Sequence, residues 1–147
     1  MEVKNLKLLA TSDEDLRVIA AHLQDAIISI QDIANLEKNR IFLIQLNRFM
    51  WEDIEKGVFR KNKRIRTVLK FDNVLSVRSK NINLKNDKNF LDFLTIECNL
   101  LPDKSYEIKL IFSGDAAIKV TTEVIDVTLD DQGSPWESKT EPKHNFL

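Results

Sequence analysis

The chain has 147 residues, 43% hydrophobic and 31% charged, at a net charge of −1, which is enough apolar material for a core and excludes a disordered class. One cysteine excludes an internal disulfide framework, and three glycines and two histidines leave little for phosphate loops or metal clusters. No run approaches the ~18 apolar residues of a membrane span, and no apolar stretch follows a basic start, because Glu2, Lys4 and Lys7 interrupt it.

These bounds lead to an expectation of one domain over residues 1–147 in a reducing, cytoplasmic compartment. Leu6, Leu8 and Leu9 read as a short strand. Thr11 and Ser12 offer hydroxyls to the free N–H groups of a helix start, and Asp13, Glu14 and Asp15 stand where the helix dipole favours anions. Leu16, Ile19, Ala20 and Leu23 then recur at helical spacing, which predicts a helix from about Asp13 to Gln24.

From Asp25 the period drops to two. Ala26, Ile28 and Ile30 alternate with polar or boundary positions, and residues 41–49 alternate again after the polar stretch 37–40, which predicts a hairpin. Residues 66–71 and 74–79 read as strands broken by a bulge or turn at Asp72 and Asn73. Between 90 and 100, Leu94, Ile96, Cys98 and Leu100 share one parity, so a half-buried strand is expected with those four inward.

Tyr106, Ile108, Leu110 and Phe112 run into the turn Ser113-Gly114-Asp115, and Ile118 and Val120 return. The apolar parity then switches to Ile125, Val127 and Leu129, for which a bulge near Val124 is the economical explanation. From about 131 the polar composition, Gly133 and Pro135 predict an irregular C-terminal segment. The expected fold is α+β: one N-terminal helix on a predominantly antiparallel, curled or partly closed sheet of about six to eight strands, with a pleckstrin-homology-like small barrel as one specific candidate.

Leu6–Ala10, the acidic helix start with Leu16, Asn47-Arg48-Phe49 followed by Trp51-Glu52, the segment from Phe71 to Ser79, and Pro135-Trp136-Glu137 occur in this order. In that combination the chain resembles an alphaproteobacterial family described as a domain of unknown function, from Leu6 to His144. The resemblance implies a small bacterial cytoplasmic protein of one domain, and it implies no activity, ligand or catalytic residue.

No catalytic constellation, cofactor or metal site is expected. His22, Cys98 and His144 are too dispersed in sequence for zinc, and Cys98 reads as an inert core thiol. Helix capping accounts for Asp13, Glu14 and Asp15, and strand termination for Asp130 and Asp131, for which a divalent-cation pair is the alternative.

The charge is concentrated between residues 56 and 70, where Lys56, Arg60, Lys61, Lys63, Arg64, Arg66 and Lys70 occur without an acid. Read as a loop or hairpin tip, this patch predicts a non-enzymatic interaction module contacting a nucleic acid or an acidic protein. The contact residues are then Arg60, Lys61, Lys63, Arg64 and Arg66, with Trp51 beside them. The alternative is an enzyme for a small anionic metabolite, with Arg48, Arg64 or Arg78 as clamps and Glu52 or Asp72 as base.

Overall fold

A computed structural model describes residues 5–50, 63–83 and 90–137. Ser12 starts α1 (Asp13–Leu23): its Oγ accepts from the Asp15 N–H at 3.2 Å, while the Asp15 carboxylate accepts from the Thr11 N–H at 3.0 Å. That second bond, with the further bonds to Ser12 and Thr11, holds the Asp15 carboxyl below its usual range. Leu16, Ile19, Ala20 and Leu23 make the buried stripe that the spacing predicted.

Besides two single-turn 3-10 helices at Ile30–Asp32 and Glu37–Asn39, the remaining described elements are strands: β1 (Lys7–Ala10), β2 (Ile27–Ser29), β3 (Ile33–Leu36), β4 (Ile41–Phe49), β5 (Lys63–Phe71), β6 (Val74–Lys80), β7 (Phe90–Leu100), β8 (Tyr106–Phe112), β9 (Ala116–Thr122) and β10 (Val127–Glu137). Among the described residues they pair in the order β1-β10-β5-β4-β2-β7-β8-β9-β6, all antiparallel, with β3 added on β4. Among the described residues there are ten strands rather than about six to eight, and the sheet they form is not closed.

Register explains where the core sits. Phe42, Phe71 and Val127 form one row across β4, β5 and β10, and Ile44, Leu69 and Leu129 form the next. In the other half of the sheet, Ile108 lies opposite Val120 and Leu110 opposite Ile118. All of these residues are buried, and α1 packs against β1, β4 and β7. Ring pairs tie each half internally: Phe42 to Phe71 at 5.9 Å and Phe93 to Phe112 at 6.1 Å between centroids.

Three expectations are corrected by this arrangement. The change of parity near Val124 is not a bulge, because the chain leaves β9 and crosses to the other half of the sheet before β10. Asp72 donates its N–H to the Asp126 carbonyl and Glu123 donates to the Asn73 carbonyl, so the crossings after β5 and after β9 run side by side. The C-terminal segment is strand as far as Glu137, with an irregularity between Gln132 and Trp136 that contains Gly133 at φ +72°.

The third correction concerns β7. A bulge between Phe93 and Thr95 inserts Leu94 as an extra residue, so Leu91, Phe93 and Ile96 are buried while Leu94 is 47% exposed. Leu100 is exposed as well, and Cys98 is half-buried rather than in the core.

Candidate functional site

Lys63 and Arg64 do not lie on a loop, because the strand expected from Arg66 already begins at Lys63, so that these two residues, Arg66 and Lys70 share one element. They belong to β5, between β10 and β4, where the intervening Ile65, Thr67 and Leu69 are buried and hold the strand inside the sheet. Lys56, Arg60, Lys61, Trp51 and Glu52 lie outside the described residues.

Each described cation of this region has a different environment. Arg48 is 1% exposed, and its Nε and Nη2 donate to the two carboxylate oxygens of Asp131 at 2.9 and 2.7 Å. The guanidinium fork matches a carboxylate in two parallel bonds, which makes this the strongest kind of charge-assisted contact. Asp131 Oδ2 also accepts from the Leu6 N–H, and the Asp131 N–H donates to the Leu6 carbonyl. The pair therefore fixes the entry to β1 as well as joining β4 to β10.

Arg64 is 2% exposed, so it does not contribute to an external patch. Its Nη1 donates to the carbonyls of Asn47 at 3.1 Å and Asp25 at 3.3 Å, and among the described residues Nε and Nη2 have no hydrogen-bond partner. Burial pushes its pKa down, opposed by the nearby carboxylates of Asp25 and Asp92. Both arginines cast as anion clamps on β4 and β5 are thus engaged within the protein. The third, Arg78, is exposed on β6 opposite Lys119, and Asp72 stands 3.7 Å from the Lys70 ammonium.

Arg66 differs from its neighbours. It is exposed, and no ion pair or hydrogen bond engages its guanidinium among the described residues. Directly across the ladders lie Asn47 on β4 and Gln132 on β10, so two amide side chains flank the cation on one sheet face. Trp136, 40% exposed, is in register with Arg64, and alternation along β5 puts it on that same face.

Asp130 and Asp131 are adjacent on a strand and so point to opposite faces, the first toward the face of Lys7 and the second into the pair with Arg48. They cannot converge on one cation. Among the described residues no three His, Cys, Asp or Glu side chains gather as a metal would need. No helix among them is long and apolar enough to cross a membrane.

A groove of about 600 Å³ lies between α1 and β7, lined by Asp13, Arg17, Ala20, Ala21 and Gln24 on the helix and by residues 94–99 on the strand. Sequence reasoning did not find it. Apart from Ala20, at the border of the buried stripe, its helical wall consists of residues outside that stripe, and its strand wall exists only because β2 is short.

The model of a family described as a protein of unknown function (DUF2948) matches residues 6–144. The chain belongs to that family. Neither the comparison with curated proteins nor the comparison with solved structures returned a match. Membership in the DUF2948 family agrees with the resemblance carried by Asn47-Arg48-Phe49, the segment from Phe71 to Ser79 and Pro135-Trp136-Glu137. Two of the matched motifs also enclose structural cations and their surroundings, since Arg48 makes the buried ion pair and Trp136 stands beside Arg64 in register.

Proposed function

We propose that this protein is a non-catalytic binding module that takes single-stranded nucleic acid on the outer face of β5 and β10, with Arg66 contacting phosphate and Trp136 offering a ring to a base. The observation that carries the reading is the availability of Arg66: it is exposed and unengaged among the described residues while Arg48 and Arg64 are buried and bonded. A guanidinium flanked by the amides of Asn47 and Gln132 can donate to several oxygens of one phosphate. An exposed indole on the same face suits stacking without sequence preference. Lys56, Arg60 and Lys61 would extend the contact along the strand of nucleic acid.

Binding of a fluorescent oligouridine at low and moderate salt, compared between the parent and Arg66→Gln, tests the proposal. The variant should bind more weakly, with the slope of log affinity against log salt flattened by about one unit for the lost contact, and its thermal midpoint should be unchanged. Adding Arg60→Gln and Lys61→Gln should deepen the loss. Arg64 is left intact because its substitution would disturb the interior. Binding to polyglutamate without binding to oligouridine would favour an acidic protein partner instead. Equal binding by parent and variants would refute the role of this face.

A further inference from the structure

The second edge of β7 is only partly covered. On one side β8 pairs with it from Phe93 to Leu100, whereas on the other β2 pairs only with Phe90, Leu91 and Asp92. Bonds from the Asp25 N–H to the Phe93 carbonyl and from the Phe93 N–H to the Ala26 carbonyl close that ladder. Beyond Phe93 no strand lies along this edge among the described residues.

Which groups the edge presents follows from register. The Leu101 N–H donates to the Ser105 carbonyl, so Leu101 and Ser105 are a hydrogen-bonded pair. Bonded and non-bonded pairs alternate along an antiparallel ladder. Asn99, Glu97 and Thr95 therefore bond β8, and the N–H and C=O groups of Ile96, Cys98 and Leu100 point away from it, toward α1.

The groove beside α1 runs along this edge. A strand face contributes only alternate residues to a wall, yet residues 94–99 line the groove consecutively, as the edge of a strand does, where the main chain is presented together with side chains. Six residues of strand give a rail of about 20 Å. Across from it, Ala20 and Ala21 are the smallest side chains of the helical wall and leave room for another backbone. The volume alone would also admit a small molecule, but an edge whose donors and acceptors at every second residue meet no strand among the described residues is complementary to an extended chain.

The charges beside the groove have oppositely charged neighbours. Arg17 pairs with Asp13 at 3.5 Å, and Glu97 is in register with Lys109. Such a lining selects for main-chain hydrogen bonding rather than for a charged ligand. Exposed Leu94 and Leu100 at the two ends of the edge add apolar contact for alternate side chains of the occupant.

We infer that the groove between α1 and β7 is a docking site for an extended, uncharged segment of a partner protein, which adds to the sheet as a strand on the free edge of β7. This site is separate from the face of Arg66. Its occupant pairs with Ile96, Cys98 and Leu100 through its backbone and places apolar side chains against Ala20 and Ala21.

The probe is a synthetic peptide selected on the full chain from a displayed library of linear twelve-residue sequences, with amide exchange followed residue by residue. In the free protein the amides of Ile96, Cys98 and Leu100 should exchange rapidly while those of Thr95, Glu97 and Asn99 are slow. Bound peptide should slow the first three at least tenfold and leave the second three unchanged. Cys98→Pro removes one free donor without touching the ladder to β8 and should weaken binding at least tenfold. Ala21→Trp, which fills the groove from the helix, should do the same, so the test does not depend on one variant folding. Failure to select any peptide, or binding that leaves the three amides unaffected, would overturn the inference. So would protection of those amides without peptide that is lost on dilution, because a second copy of the chain would then be the occupant.

Discussion

Arg48 and Asp131 join β4 to β10 across the intervening β5, each 1% exposed, through two parallel hydrogen bonds of 2.9 and 2.7 Å. The row that contains Asp131 continues the apolar rows of the core: Leu46, Thr67 and Asp131 follow Ile44, Leu69 and Leu129. The ion pair thus ends the core at one end of these strands. Taking both charges out of water is costly, and the gain comes from the bidentate geometry together with the Leu6 N–H on Asp131.

The pair should be far more sensitive to losing one partner than to losing both. Asp131→Asn and Arg48→Met are each expected to destabilise by about 3–5 kcal/mol because the remaining charge stays buried. Arg48→Met combined with Asp131→Leu should cost less than the sum of the two. Urea unfolding of the four proteins measures the coupling, and additive losses would show that the contact contributes little.

Side-chain truncation along β7 and β8 tests the bulge at Leu94. Leu110 is fully buried and Ile96 nearly so, and truncating either to alanine should cost about 2–5 kcal/mol by leaving a cavity. Leu94, displaced outward by the bulge, should tolerate alanine with a loss of less than about 1 kcal/mol. Equal losses at Leu94 and Ile96 would mean that the two side chains share one face.

Thiol chemistry at Cys98 should follow its half-buried position beside the groove. Burial, with a smaller effect of the Asp13 carboxylate, pushes the thiol pKa up, so the thiolate is scarcer at neutral pH than for an ordinary cysteine. Alkylation by iodoacetamide should therefore be slow near pH 7 and should accelerate only as pH rises past the usual thiol range. Rapid stoichiometric labelling of native protein at neutral pH would contradict this assignment.

Local pattern was sufficient for the elements whose signal lies within a few residues. Ser12 with the acids behind it marks the helix start, and the alternation from Tyr106 to Phe112 with the turn at Gly114 marks the hairpin of β8 and β9. Both depend on the 3.6- and 2-residue periods, which follow from backbone geometry alone. The same reasoning failed at Leu94, because one inserted residue reverses every later side chain of a strand and its presence is set by the partner strand.

Charge was the least legible property. By itself the sequence determined that residues 56–70 carry cations without an acid, and that a helix and alternating strands form an α+β protein. Only the tertiary structure decided that Arg48 and Arg64 are internal while Arg66 faces outward. The partner of Arg48 lies 83 residues further along the chain, and a buried charge is tolerable only where such a partner is brought to it. The open edge of β7 is of the same kind: strand pairing, and not the composition of β7, determines which of its backbone groups stay free.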